Sequence, residues 1–196
     1  YLSLSLSLYT HTPNTLEMST VPAAEVVKGE ANALYGDGKL AEALAKYTEA
    51  LKLLPDVDPD DEEEFEALRT SKPDETKLRT VVLSNRAQCH LQMGKAVPEG
   101  IESKEARGHF MKANMDAAFA AELSPDYAKA HYRKGLALLG MPDTQQRSKE
   151  ATMALKAALA CKDVSDPMRK EITEVLKYAD ERRFDGVDMP ENCTIC

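Results

Sequence analysis

The stretch that decides the fold is AEVVKGEANALYGDGKLAEALAKYTEALKLLP, residues 24–55. It predicts two helices that turn back on each other at Gly38, because glycine ends helices without backbone strain. The larger Tyr47 fills the gap between the two helices, and Pro55 ends the second one because proline cannot extend the hydrogen-bond ladder. Three small residues let the helices approach closely. They are Ala31, Ala43 and Ala50.

The same spacing recurs twice further along the chain. Counted from Ala24, the six marker residues stand at offsets 8, 15, 20, 24, 27 and 32, which resembles the tetratricopeptide repeat (TPR), a pair of antiparallel helices in about 34 residues. The second copy spans about residues 80–127. Its Gly94 and Ala113 stand 19 positions apart against five in the first copy, so this connection is longer by 14 residues and is expected to form an enlarged turn or to extend the flanking helices. The third copy spans about residues 128–163 and has a turn longer by four residues.

Two further segments separate or follow the copies. Residues 56–77 carry acidic charge and two prolines, which predicts a loop in which EEEFEALRT could add a turn or two of helix. After the third copy, Asp166 and Pro167 have the residue types of a helix start. Residues 166–183 are therefore expected to form a helix that covers the exposed face of the last repeat, as solenoids require.

The fold class follows as all-α: an α-solenoid of three TPR helix pairs plus a C-terminal capping helix, seven helices in all. The composition agrees, because the chain has no Trp and only 6% aromatic residues, which favours packed helices over a β-sandwich. The TPR domain is expected over residues 21–184. Residues 1–20 are expected to be a disordered extension, and residues 185–196 a flexible tail.

Charge and composition exclude several classes of function. The chain has 25 Lys and Arg against 33 Asp and Glu, a net charge of −8, and eight of the acids lie in residues 56–66. The remainder is balanced, so there is no basic footprint for nucleic acid. No stretch approaches the roughly 18 apolar residues of a membrane span. The four cysteines lack the spacing of a disulfide framework, so we expect a reducing compartment and a cytoplasmic location.

One face of the first helices carries polar and basic residues. Offsets 2, 5, 6 and 9 differ by three, four and seven, so they share one helical stripe, and the concave side of such a stack usually binds an extended peptide. Lysine and arginine four apart on a helix usually just face solvent. Asparagine is more telling, because it is a mediocre helix former with no need to lie inside a helix. The stripe carries Lys28, Asn32, Asn85, Lys129 and Arg133.

These five residues resemble the clamp of the two-carboxylate-clamp TPR domains of heat-shock co-chaperones. That family has Lys and Asn on the first helix, Asn on the third, and Lys with Arg on the fifth, and all five positions match. The resemblance covers about residues 24–183, and the contexts VVKGEAN, LSNRA and KAHYRKG also fit it. It implies a binding module without enzymatic activity that docks a peptide C-terminus, typically the Glu-Glu-Val-Asp end of heat-shock protein 70 or 90 class chaperones.

The clamp residues suit a terminal aspartate, which offers two carboxylates at one chain end. Lys28, Lys129 and Arg133 supply charged donors, and arginine can give a forked pair of hydrogen bonds. Asn32 and Asn85 supply amide groups that hold the peptide backbone without adding charge. We expect a micromolar dissociation constant, roughly −8 kcal/mol, weakened by salt. The apolar residues expected to line the groove are Tyr35, Tyr132 and Leu136.

Two alternatives stay open. Clamp repeats also occur fused to peptidyl-prolyl isomerase or phosphatase domains, so this chain could be the docking piece of such an enzyme. The final Cys-Thr-Ile-Cys has the form of a prenylation motif, and a lipid on Cys193 could tether the protein weakly to a membrane. Cys193 and Cys196 have two other interpretations. They could belong to an unmodified tail, or they could have a metal or redox role, which has less support because no second pair of Cys or His residues lies nearby.

No motif for catalysis or for a cofactor is present. GxGxxG, GxxxxGK[ST] and GxSxG are absent, the four histidines lack metal spacing, and His90 falls on a packing position. The acidic run lacks the glycine and the spacing of a calcium loop. We therefore expect no enzymatic activity, cofactor or metal, and a monomer. The methionines on helical faces are expected to fill the core; they are Met93, Met111, Met115 and Met153.

Overall fold

The computed structural model describes residues 20–58, 61–142 and 145–185, and these contain eight helices and no strand. The predicted all-α class is confirmed. The expected N-terminal extension (residues 1–20) and C-terminal tail (residues 185–196) lie outside the described residues, except for Thr20 and Asp185, which belong to helices. The helices are α1 (Thr20–Gly36), α2 (Leu40–Lys52), α3 (Glu62–Ser71), α4 (Pro73–Lys95), α5 (Lys104–Leu123), α6 (Ala128–Gly140), α7 (Gln145–Ala160) and α8 (Asp166–Asp185).

Seven of these helices form the predicted stack. Helix α1 packs against α2, α4 against α5, and α6 against α7, while α8 packs on α7 as the capping helix. The first helices of successive pairs also touch, α1 with α4 and α4 with α6. This chain of contacts brings α1, α4 and α6 together along one side of the stack, with α4 in the middle.

The first pair shows why these residues fold as a hairpin of helices. Gly38 has a φ of 75°, which a residue with a side chain rarely adopts. This conformation lets the N–H of Lys39 reach back 2.9 Å to the carbonyl of Leu34 and close the end of α1. Tyr47 is 1% exposed between the helices, as expected. The small positions Ala31, Ala43 and Ala50 are fully buried.

The predicted loop over residues 56–77 is wrong for most of its length, because the turn or two of helix allowed for EEEFEALRT is a helix of 10 residues, α3. Helix α3 begins after Asp61, whose carboxylate accepts hydrogen bonds of 3.0 Å from the N–H groups of Glu63 and Glu64. The acidic run stabilises the start of this helix, because carboxylates interact favourably with the N-terminal end of the helix dipole. Helix α4 then begins at Pro73, so the second pair starts about two turns earlier than predicted.

The enlarged connection in the second pair divides between a turn and a helix. Helix α4 continues to Lys95, residues 96–103 form the turn, and Ser103 caps α5 by accepting from the N–H of Ala106 at 3.1 Å. Helix α5 therefore begins well before the marker Ala113 and absorbs part of the insertion. Three of the four methionines expected in the core are instead exposed. They are Met111 (56%), Met115 (64%) and Met153 (62%).

Phe110 fills the centre of the largest core cluster, which spans α4 to α8. Its ring is fully buried and lies against two glycines. A Cβ built on Gly140 would lie 2.4 Å from Cδ1 of Phe110, and one on Gly94 would lie 3.1 Å from its Cζ. Glycine at position 140 thus lets the end of α6 approach α5 around this ring.

We expect Gly140→Ala to lower the free energy of unfolding by about 3 kcal/mol, because the added methyl group overlaps a ring that the core holds in place. Gly29→Ala is the matched control: nothing lies within 4 Å of its added Cβ, and alanine in an exposed helix interior raises stability by about 1 kcal/mol. Urea denaturation of both variants measures the difference. Equal stability of the two would contradict this account of the core.

Candidate functional site

The face shared by α1, α4 and α6 contains a pocket of about 270 Å³. It brings together three of the five residues predicted from the helical stripe, one from each of these helices. Two tyrosines and a glutamine complete its wall. The lining residues are Asn32, Tyr35, Tyr47, Asn85, Gln88 and Arg133.

A continuous set of hydrogen bonds joins the three predicted residues. Arg133 Nη1 donates to Asn85 Oδ1 at 3.2 Å, and Asn85 Nδ2 donates to Asn32 Oδ1, also at 3.2 Å. The hydroxyl of Tyr47 donates to the same Asn32 oxygen at 2.6 Å. The site is therefore a linked polar network that crosses all three helices.

Arg133 is held by neutral oxygen atoms of α4. Besides Asn85, its Nη1 donates to Ser84 Oγ at 2.6 Å and its Nε to Gln88 Oε1 at 3.2 Å. Burial lowers the pKa of the Arg133 guanidinium, although arginine stays protonated at physiological pH. Within residues 20–58, 61–142 and 145–185, no carboxylate forms an ion pair with it.

Two arginines of α4 show the usual arrangement, which is an ion pair with a carboxylate. Arg79 Nη2 contacts Glu75 Oε1 at 2.8 Å. Arg86 makes a forked pair with Asp116, with Nε to Oδ2 at 2.8 Å and Nη2 to Oδ1 at 2.6 Å. Arg133 differs from both because neutral oxygen atoms accept its hydrogen bonds but no carboxylate of the described structure neutralises its charge. A partly buried cation in that state favours an anion from outside.

The two predicted lysines lie beside the pocket and do not line it. Lys28 precedes Asn32 by one turn of α1 and forms an ion pair with Glu25. Lys129 precedes Arg133 by one turn of α6, is exposed, and has no ion-pair partner among the residues described. It borders a second pocket of about 330 Å³ between α6 and the start of α8.

The three residues expected to line the groove have different positions. Tyr35 lines the first pocket, and its hydroxyl accepts from Gln92 Nε2 at 2.6 Å. Tyr132 borders the second pocket but is only 3% exposed. Leu136 is 2% exposed inside the largest core cluster, so its expected place in the groove is wrong. The reason is that α6 packs between other helices, which bury nine of its 13 residues.

Sequence reasoning missed three residues of the network. Gln88 follows Asn85 by three positions and so lies on the same stripe; this spacing could have identified it. Ser84 is fully buried next to Asn85, and only its contact with Arg133 marks it. Tyr47 was expected as a packing residue, and that prediction overlooks the hydrogen bond of its hydroxyl.

Solved structures with the same arrangement of helices are TPR domains. The OM64 TPR domain of Arabidopsis matches with a TM-score of 0.53 and 21% identity over 86% of this chain and 100% of its own. The C-terminal TPR-containing domain of a Plasmodium falciparum FK506-binding protein matches with a TM-score of 0.55 and 20% identity, over 89% of this chain and 99% of its own. The Sgt2 TPR domain of Aspergillus fumigatus matches with a TM-score of 0.53 and 22% identity, over 92% of this chain and 95% of its own. The fold is that of a TPR domain.

No protein-family model matches the chain. In TPR terms, α1, α4 and α6 are the first helices of three repeats, and the pocket lies on the face that they share. Of the eight helices described, none is long and apolar enough to cross a bilayer.

A second polar cluster lies inside the second TPR, between its two helices. The Nδ1 atoms of His90 and His109 are 3.1 Å apart, so only one of them carries the shared proton. Burial, together with His109, Lys112 and Arg86, lowers the pKa of His90 to about 4. The described residues contain no group of three or more His, Cys, Asp or Glu side chains that could hold a metal ion. The pair is therefore a partly buried, neutral contact between α4 and α5.

Two of the four cysteines lie within the described residues, and both are buried free thiols. Burial raises the pKa of Cys89 to about 11, so its thiolate is not available at neutral pH. Cys193 and Cys196, the pair considered for lipidation, lie outside the described residues.

We expect the TPR domain to lose stability between pH 6.5 and about 4. In this range the unfolded state protonates His90 while the folded state does not, so the free energy of unfolding falls with pH by up to about 1.4 kcal/mol per pH unit. His90→Gln should remove that share of the slope. Urea denaturation at pH 5 and pH 7 measures it, and an unchanged slope in the variant would contradict the assignment.

Proposed function

We propose that this TPR domain binds the C-terminal end of an acidic peptide of the Glu-Glu-Val-Asp type through a carboxylate clamp. The clamp residues are Lys28, Asn32, Asn85, Lys129 and Arg133, and the partners are chaperones of the heat-shock protein 90 or 70 class. The observation that carries the proposal is the charge of Arg133, which faces an open pocket without a carboxylate of its own in the described structure.

The ligand chemistry follows from the donors around the pocket. Asn32 and Asn85 can each direct amide hydrogens towards a ligand oxygen, and Arg133 adds a charged donor. The lysines on the flanks contribute attraction that salt screens, because Lys129 is exposed and Lys28 is partly exposed. A chain end fits this set better than an internal carboxylate, because its terminal residue carries two anionic groups when that residue is aspartate.

The size of the expected affinity is modest. A hydrogen bond to a charged group contributes about 1.5–3 kcal/mol at best, and association costs several kcal/mol of lost freedom. The balance corresponds to a dissociation constant in the micromolar range, or roughly −8 kcal/mol.

A second candidate function is that of a docking piece within a larger peptidyl-prolyl isomerase or phosphatase. The Plasmodium falciparum structure supports it, because there a TPR domain of this shape is the C-terminal part of an FK506-binding protein. For the chain itself we propose a cytoplasmic binding module, a monomer without catalytic activity. Prenylation at Cys193 and weak membrane tethering stay a hypothesis, which the mass of the protein from its own cells would test.

Calorimetric titration with a peptide that ends in Glu-Glu-Val-Asp tests the first proposal. We expect micromolar binding, and a loss of at least about tenfold when the peptide ends in a carboxamide or when the protein carries Lys129→Ala with Arg133→Ala. Lys149→Ala with Lys156→Ala is the matched control, since these exposed lysines of α7 change the net charge equally away from the pocket. Unchanged binding of the carboxamide peptide would rule the clamp out.

We also expect Glu25→Gln to strengthen peptide binding by about two- to fivefold. Glu25 holds the ammonium group of Lys28 in an exposed ion pair, which a ligand carboxylate must displace, and such pairs contribute about 0.2–1 kcal/mol. Glu42→Gln on α2 is the control, with the same change in net charge. The gain should shrink in high salt, and equal effects of the two variants would show that Glu25 does not compete.

A further inference from the structure

We infer that the hydrogen bonds across the pocket run in one direction, from Arg133 through Asn85 to Asn32, and that Tyr47 is a positioning residue that keeps this direction. Arg133 and the two asparagine amides then present donors to the ligand, which favours a carboxylate over a carboxamide. The inference rests on the proposed function, since it explains how the same pocket would recognise a chain end.

Arg133 sets the direction because a guanidinium has donors and no acceptor. Its Nη1 contacts the side chain of Asn85 at 3.2 Å, so the atom of Asn85 that faces it must be the oxygen. The reverse orientation would place an amide NH₂ against the guanidinium and leave a donor without an acceptor. Ser84 and Gln88 hold the guanidinium in this position through its Nη1 and Nε.

The orientation of Asn85 then fixes that of Asn32. With the Asn85 oxygen turned to Arg133, its Nδ2 points the other way and donates to Asn32 at 3.2 Å. The atom of Asn32 that receives this bond must be its oxygen. Its Nδ2 donates to no acceptor in the described structure and carries two hydrogens that a ligand can use.

Tyr47, on α2, provides the last hydrogen bond of this arrangement. Its hydroxyl lies 2.6 Å from Asn32 Oδ1, and the side chain is 1% exposed. Burial raises the pKa of Tyr47 to about 12, against the lowering effect of Asn85, so the hydroxyl keeps its proton and donates it. Two donors therefore occupy the Asn32 oxygen, from Tyr47 and from Asn85, and both of its lone pairs are used.

The consequence for a ligand is discrimination between an acid and an amide. A terminal carboxylate offers two acceptor oxygens to the free Asn32 hydrogens and to Arg133, whereas a carboxamide offers one oxygen and leaves its NH₂ group without an acceptor among these donors. Without the Tyr47 hydroxyl, Asn32 loses one of the two contacts that orient it. Its amide can then rotate by half a turn and offer its oxygen to a carboxamide.

The test compares the full chain with its Tyr47→Phe variant, by titration with two Glu-Glu-Val-Asp peptides that differ only in a free or an amidated end. We expect Tyr47→Phe to weaken binding of the free acid by about three- to tenfold and to reduce the ratio of acid to amide affinity. Tyr178→Phe, which removes a phenol hydroxyl in α8 away from the pocket, should leave both affinities unchanged.

The outcomes separate the two proposals. An acid-to-amide ratio in Tyr47→Phe equal to that of the unmodified chain overturns the role of Tyr47, while the proposed function stands. If the unmodified chain binds neither peptide, the proposed function fails.

NMR of the ligand-free protein then decides the direction of the hydrogen bonds. Amide hydrogens of Asn85 near the Tyr47 hydroxyl support the inferred direction, and amide hydrogens of Asn32 in that position overturn it. Circular dichroism confirms that each variant is folded.

Discussion

The site depends on a positive charge for which the described protein supplies no negative partner. Arg133 is surrounded by the neutral oxygens of Ser84, Asn85 and Gln88, which replace part of its hydration but do not cancel its charge. Partly buried charges are costly unless they are paired, and Arg86 and Arg79 obtain carboxylates from within the same domain. An apolar residue at position 133 would avoid this cost. Under the proposed function, a ligand supplies the missing charge.

The close approach of the helices is what makes such a network possible. Asn85 is 53 positions from Asn32 and 48 from Arg133 along the chain, yet each pair is joined by a hydrogen bond of 3.2 Å. Direct contact between short amide side chains requires that their helices lie very near each other. Fully buried Ala31 and Ala87 provide this, each within two positions of one of the two asparagines. Packing residues and site residues therefore alternate on the same helices, and the geometry of the pocket follows from that of the repeat.

The sequence could predict the repeat because its determinants are local: small residues, one large residue and a glycine at fixed distances. It could also predict Asn32, Asn85 and Arg133, because they share one stripe of the first helices. Tertiary contacts decide what it could not predict. The acidic run suits a loop as well as the first turn of a helix, and packing on α4, where Thr76 donates to the carbonyl of Leu68 at 2.7 Å, favours the helix. Leu136 suits a groove or a core, and the helices around α6 bury it.

A preformed network also changes how binding and folding share their free energy. The side chains of Asn32, Asn85 and Arg133 are ordered when the helices pack, so a ligand does not have to immobilise them and loses less of its gross interaction energy. The domain bears the cost instead, as a partly buried charge and several buried polar groups that the apolar core must outweigh. A ligand that supplies the anion removes part of that cost only in the folded state. It must then stabilise the repeats against unfolding to the extent that its concentration exceeds its dissociation constant. Binding strength and fold stability are therefore coupled through the same guanidinium group.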